Sequence, residues 1–139
     1  MKSLAVAKFG GSLIDFYGTN IPLIVKRIAE HRRRKDLGPV AVFSAPKGVT
    51  DMLQAIGEAR ALRQSYDLDS VFNSYSILAS TYVSKKLIQE FQNELNQHRR
   101  DVEEALMKVD RRFNGSARAK VLTSGGELPT AMLMSYVLR

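Results

Sequence analysis

The chain has 139 residues, 45% of them hydrophobic, which suits a single folded domain with its own core. It contains no Cys and only two His, so we expect no disulfide and no metal site built from thiolates or histidines. The formal net charge of +7 is compatible with an anionic partner, and charge alone does not choose between nucleic acid, acidic lipid and nucleotide phosphates. Lys8, Lys26 and Arg27 interrupt the longest apolar stretches and no export signal is recognisable, so we expect a cytoplasmic protein without a membrane span.

A strand and a helix are the first predicted elements. Residues 4–9 (LAVAKF) are mostly apolar and run into Gly10 and Gly11, which predicts a buried strand followed by a tight turn. Asn20 can cap a helix, which should end near residues 37–39. We interpret its basic residues as a solvated helix end, with a partner or phosphate surface as the alternative. These residues are Lys26, Arg27, His31, Arg32, Arg33, Arg34 and Lys35.

The middle of the chain predicts one more strand and then a long helical segment. Residues 40–43 (VAVF) predict a second buried strand, and the loop after them leads to a helix that begins near Thr50. Residues 65–114 contain no Gly or Pro and keep apolar side chains at helical spacing, which predicts a helical insert with ordinary core packing. Its break lies either at Ser84 or within residues 96–100, and the sequence leaves both open.

The last part of the chain predicts a third strand, at residues 119–123 (AKVLT), and residues 124–127 (SGGE) then open a final apolar helix. Strands that alternate with helices indicate a parallel sheet covered by helices on both faces, an α/β fold. Three strands make a thin sheet, and the final helix still needs something to pack against. We therefore expect this chain to be the N-terminal part of a longer domain.

The turn after the first strand is the first candidate for chemistry. The amides of Gly10, Gly11, Ser12 and Leu13 can form an anion cradle, and Lys8 adds a positive charge. The alternative is an ordinary tight turn. No G-x-x-x-x-G-K-[ST] and no G-x-G-x-x-G occurs, which argues against a P-loop NTPase and against a Rossmann dinucleotide site.

Three sequence motifs, which occur in a fixed order along the chain, favour the anion cradle over an ordinary turn. Residues 8–13 (KFGGSL) match the first four positions of K-F-G-G-T-S, residues 44–50 (SAPKGVT) match S-A-x-x-G-x-T, and residues 124–127 (SGGE) match S-x-G-E. The chain resembles the N-terminal part of aspartate kinases, in the amino acid kinase family. The resemblance implies a partial amino-acid-kinase-type three-layer α/β/α fold with a parallel sheet and a helical insert. It covers nearly the whole chain.

The resemblance implies transfer of the γ-phosphoryl group of ATP to the side-chain carboxylate of L-aspartate, which gives 4-phospho-L-aspartate for lysine, threonine and methionine biosynthesis. Lys8 is then the catalytic residue, which holds phosphate oxygens, and the amides of Gly10, Gly11 and Ser12 face the transferring group. Mg²⁺ is expected to arrive with the nucleotide, and no metal ligand is expected from the protein.

The resemblance also implies the residues that bind aspartate. Ser44, Ala45 and Thr50 contribute hydroxyl and backbone donors, and Glu127 pairs with the α-ammonium group. Each has a structural alternative, because Ser44 and Thr50 also suit turns and caps and Glu127 suits the first turn of a helix.

In the family, the adenosine-binding segment, a second cationic catalytic residue and a catalytic aspartate lie beyond the point that corresponds to Arg139. We therefore expect residues 1–139 to be one part of the kinase domain, with an insert at about 51–114, without the C-terminal nucleotide-binding part or any regulatory domains, and inactive alone. We expect a homo-oligomer. The alternatives are another member of the amino acid kinase family, as residues 12–13 suggest, a non-catalytic relative, or a basic nucleic-acid-binding module.

Overall fold

The computed structural model describes residues 4–15, 17–33 and 37–139, and in these ranges it contains a two-stranded parallel sheet. Strand β1 (Leu4–Phe9) pairs with strand β2 (Leu37–Phe43), and the pairing joins Val6 to Val40 and Phe9 to Phe43. The predicted first strand is confirmed. The second strand is also confirmed, although it begins earlier than the apolar run at residues 40–43.

Helix α1 (Ile21–Arg33) connects the two strands and packs against β2. Ile21, Ile24 and Ile28 form its buried stripe, because residues three and four apart lie on one face of a helix. The predicted helix end near residues 37–39 is wrong, since Leu37 already belongs to β2. The basic residues Arg34 and Lys35 lie outside the described residues.

The two faces of the sheet differ in their burial. On one face, the rings of Phe9 and Phe43 stack with centroids 5.2 Å apart, and Phe9 is buried. On the other face, Val6 is 66% and Val42 is 44% exposed, and the exposed Lys8 pairs with Val42 in register. Within the described residues, helices therefore cover only one side of the sheet.

Three helices follow β2 and build most of the core. They are α2 (Val49–Ala61), α3 (Asp69–Tyr82) and α4 (Ile88–Met107). Helix α3 ends beside Ser84, and a short 3-10 turn at Lys85–Leu87 leads into α4, whereas residues 96–100 lie within one continuous helix. Of the two predicted break points, Ser84 is the correct one.

The predicted third strand at residues 119–123 is wrong. That segment lies in helix α5 (Gly115–Leu122), which is followed by a π-helical turn at Thr123–Glu127 and by helix α6 (Leu128–Val137). Ala, Lys and Leu are good helix formers, and α5 packs against α2 and α4. Val121 is the fully buried residue of this short helix. An apolar run of five residues is too short for its periodicity to distinguish a strand from a helix.

Candidate membrane-spanning helices were sought along residues 4–15, 17–33 and 37–139. None of the helices there combines the length and the apolar character that a bilayer crossing needs.

Candidate functional site

The glycine turn after β1 is a 3-10 turn at Gly11–Leu13. The amide of Leu13 donates to the carbonyl of Gly10 over 3.0 Å, so Leu13 is not available to the predicted anion cradle. The amides of Gly11 and Ser12 begin the turn, where N–H groups have no partner inside it. Gly10 has ordinary extended backbone angles, and no atom of the described residues lies within 4 Å of the place where a side chain would begin. The space in front of Gly10 is therefore open to a ligand.

The loop after β2 is joined to the glycine turn by backbone hydrogen bonds. The amide of Ser44 donates to the carbonyl of Phe9 over 3.3 Å, and the amide of Lys47 donates to the carbonyl of Ile14 over 2.9 Å. Gly48 has φ +86°, a left-handed conformation that favours glycine, and it ends the loop one residue before α2. Backbone hydrogen bonds thus hold the two loops together at the end of the sheet.

The π-helical turn (Thr123–Glu127) packs against the same loop. A methyl group on Gly126 would lie 2.9 Å from Cβ of Ala45, and one on Gly125 would lie 2.7 Å from a methyl carbon of Leu53. Such i→i+5 turns are rare, and they occur frequently at functional sites. The third motif therefore reaches the ends of the strands from a helical turn and not from a strand of its own.

Ala45 is the point where the three motifs meet. Its carbonyl oxygen would lie 2.5 Å from a methyl group on Gly11, and its own methyl group faces Gly126. Ala45 is 9% exposed and belongs to the core. One buried residue of the second motif thus contacts a glycine of the first and a glycine of the third.

The remaining predicted residues surround this meeting point in different ways. Ser44 is half-buried beside Ala45, and Thr50 is exposed in the first turn of α2. Lys8 and Glu127 are both exposed, and among the described residues no ion pair within 4 Å includes either of them. Their charges are therefore not used by neighbouring side chains of the described part of the chain.

Two buried side chains in this region were missed by the sequence analysis. The hydroxyl of Tyr75 lies 2.9 Å from the carbonyl oxygen of Gly125 and 3.1 Å from that of Gly126. Ser124 is fully buried, and its hydroxyl has no hydrogen-bond partner among the described residues. Tyr75 lies within residues 65–114, for which the sequence predicts ordinary core packing, although a buried tyrosine hydroxyl usually requires a partner.

Among the described residues, no three His, Asp or Glu side chains lie close enough together to hold an ion. A cavity of about 220 Å³ adjoins the glycine turn at Leu13. It is lined by Phe9, Leu13, Asn20, Leu23, Ile24 and Arg27.

Comparison with protein families gives the classification. The profile of the amino acid kinase family matches residues 3–139. The chain belongs to the amino acid kinase family. A search of curated proteins found no significant match. The match to the family profile supports the predicted fold class.

Solved structures of E. coli aspartokinase III are similar to this amino acid kinase chain in fold. The complex with lysine and aspartate, in the T-state, is 19% identical, with a TM-score of 0.56 over 98% of this chain. The complex with aspartate and ADP, in the R-state, is 22% identical, with a TM-score of 0.56 over 99%. The similarity confirms the predicted fold class, a partial α/β fold of the amino acid kinase type. This chain spans 29% of the length of each of those proteins.

Proposed function

We propose that this chain supplies the phosphate-binding and amino-acid-binding loops of an enzyme that transfers the γ-phosphoryl group of ATP to the side-chain carboxylate of L-aspartate. The observation that carries the proposal is the contact of both Gly11 and Gly126 with Ala45. It brings a loop with amide donors beside segments that carry hydroxyl groups and a carboxylate. Both similar E. coli aspartokinase III structures contain aspartate, and the R-state structure also contains ADP, which supports this choice of substrates.

The phosphate side of the proposed site consists of Lys8, Gly10, Gly11 and Ser12. The aspartate carboxylate is already an anion at neutral pH, so the reaction needs no general base. Its difficulty is that two anions must come into line while negative charge shifts between them. The amides of Gly11 and Ser12 and the ammonium group of Lys8 would stabilise that charge, and the open space at Gly10 would admit the phosphate.

The amino-acid side of the proposed site consists of Ser44, Ala45, Thr50 and Glu127. Glu127 is the residue next to Gly126, and its exposed carboxylate would pair with the α-ammonium group of aspartate. Ser44 and Thr50 lie before and after the loop that Ala45 anchors, and their hydroxyl groups would donate to the substrate carboxylates. In this arrangement the substrate side chain would point toward the glycine turn.

Other parts of the site would come from a longer protein, because this chain spans 29% of the similar solved proteins. We assign the adenosine pocket to that further part. Magnesium would arrive with the nucleotide and would neutralise phosphate charge.

The test is an acceptor assay on the longer protein from the same reading frame. An acyl phosphate reacts with hydroxylamine, so the product is trapped as a hydroxamate while ADP release is followed in parallel. We expect both signals with aspartate and neither with N-acetylglutamate or carbamate. Transfer to another acceptor would assign the chain to a different amino acid kinase, and aspartate binding without any transfer would indicate a non-catalytic relative.

A further inference from the structure

The hydroxyl of Tyr75 connects helix α3 to the π-helical turn (Thr123–Glu127). Tyr75 is 1% exposed, and its hydroxyl can donate to the carbonyl oxygens of Gly125 and Gly126 at 2.9 and 3.1 Å. The hydroxyl of Thr130 also donates to the carbonyl oxygen of Gly126, over 2.7 Å. Two buried hydroxyl groups therefore fix the carbonyls of the two glycines.

The turn needs such outside contacts to keep its shape. Two adjacent glycines have more conformational freedom than any other pair of residues, and a π turn has poorer intrinsic stability than an α-helix. Gly126 must nevertheless stay against Ala45, and Gly125 against Leu53, at distances that leave no room for a methyl group. Burial raises the pKa of Tyr75, so its hydroxyl remains a donor even in alkaline solution.

We propose that Tyr75 is a positioning residue for the amino-acid side of the site: through the carbonyls of Gly125 and Gly126 it keeps Gly126 against Ala45 and so sets the position of the adjacent Glu127. Tyr75 itself does not touch the substrate. The part of the proposal that concerns aspartate rests on the proposed function, and the part that concerns the turn does not.

The kinetic test uses the longer protein with two matched variants. Tyr75→Phe removes the hydroxyl that holds the turn. Tyr136→Phe removes a hydroxyl from an equally buried tyrosine, which donates to Glu94 of α4 and lies at the far end of α6. Loss of one hydrogen bond that orients Glu127 is expected to raise KM for aspartate about tenfold in Tyr75→Phe and to leave KM for ATP unchanged. In Tyr136→Phe, KM for aspartate and KM for ATP should both stay at the wild-type values, even if its melting temperature falls as far as that of Tyr75→Phe.

Amide hydrogen exchange supplies a test that does not depend on substrate. The amides of residues 123–127 should exchange at least about tenfold faster in Tyr75→Phe than in Tyr136→Phe. Loss of the Tyr75 hydrogen bond lowers the free energy needed to open the turn locally. Equal exchange in the two variants would overturn the proposal, and so would faster exchange with an unchanged KM for aspartate. If wild-type protein phosphorylates no aspartate but the exchange differs as expected, the proposed function fails and the role of Tyr75 in the turn stands.

Discussion

Gly11 and Ala45 lie 34 positions apart in the sequence, and the carbonyl oxygen of Ala45 would lie only 2.5 Å from a methyl group placed on Gly11. At the neighbouring Gly10, no atom from the described part of the chain lies within 4 Å of the corresponding position, and the backbone angles are ordinary extended ones. The two glycines of one turn therefore have different reasons for being small. Gly11 is small because the protein packs against it, whereas nothing in the described part of the chain fills the space at Gly10.

This difference predicts opposite effects of two alanine substitutions on stability. Gly11→Ala forces the first two motifs apart and should lower the free energy of unfolding by about 1–3 kcal/mol. Gly10→Ala should leave it unchanged or raise it by about 0.4–1 kcal/mol, because alanine restricts the unfolded chain. Urea denaturation of the 139-residue chain measures both. If Gly10→Ala proves as destabilising as Gly11→Ala, the space in front of Gly10 is not open.

The contact between α2 and the segment before α5 gives a second stability prediction. A methyl group on Gly57 would lie 2.4 Å from atoms of the buried Phe113 ring. Gly57→Ala gains helix propensity of about 1 kcal/mol but overfills this contact, so we expect a net loss of about 1–2 kcal/mol in the free energy of unfolding.

A second substitution isolates the cause of that loss. In a Phe113→Leu background the smaller side chain leaves room, and Gly57→Ala should then be neutral or stabilising. Equal costs in the two backgrounds, measured by urea denaturation, would show that the ring is not responsible.

Tyr136 gives a prediction for alkaline solution. Burial, assisted by the nearby carboxylate of Glu94, raises its pKa from 10.0 to about 12. The folded state thus favours the protonated hydroxyl, and its contribution to stability is complete below pH 10 and is lost as the pH rises toward 12. Unfolding free energies across this interval should fall more steeply for wild type than for Tyr136→Phe. The control Tyr17→Phe removes the hydroxyl of a residue that is 86% exposed, and this variant should follow the wild-type slope.

The two strands were predictable from the sequence, whereas the helical conformation of residues 119–123 was not. Residues 4–9 and 40–43 are apolar runs closed by turn residues, and both proved to be strands. Residues 119–123 have the same appearance and are followed by Ser124 and two glycines, yet they are helical. A run of five residues carries too little periodicity to choose, and here packing against α2 and α4 decides.

The meeting of the motifs at Ala45 could be anticipated only in part. Parallel strands bring residues 10–13 and 44–50 to one end of a sheet, and the sequence order is enough to predict that. The approach of Gly126 depends instead on how α5 and α6 pack, and on the hydrogen bond from Tyr75, 51 positions away. Such contacts between distant helices leave no periodic signal in the sequence.

The last prediction separates the proposed roles of Lys8 and Glu127 in the longer enzyme. Lys8→Ala should chiefly lower kcat, by about 10²–10³-fold, because a cation at the transferring phosphate acts most strongly on the transition state. Glu127→Ala should chiefly raise KM for aspartate, by about 10–100-fold, because its pairing with the α-ammonium group is similar before and during transfer. Coupled ADP release over a range of aspartate concentrations gives both constants.

Matched controls exclude a general effect of removing surface charge. Lys86→Ala, in the 3-10 turn before α4, and Glu104→Ala, on α4, each remove an exposed charge from the helical insert and should leave kcat and KM unchanged. Because Lys8 and Glu127 form no ion pair with the described residues, their loss should not lower the melting temperature either. Small and equal kinetic effects from all four substitutions would mean that Lys8 and Glu127 are ordinary surface residues, and that the three motifs meet at Ala45 for packing alone.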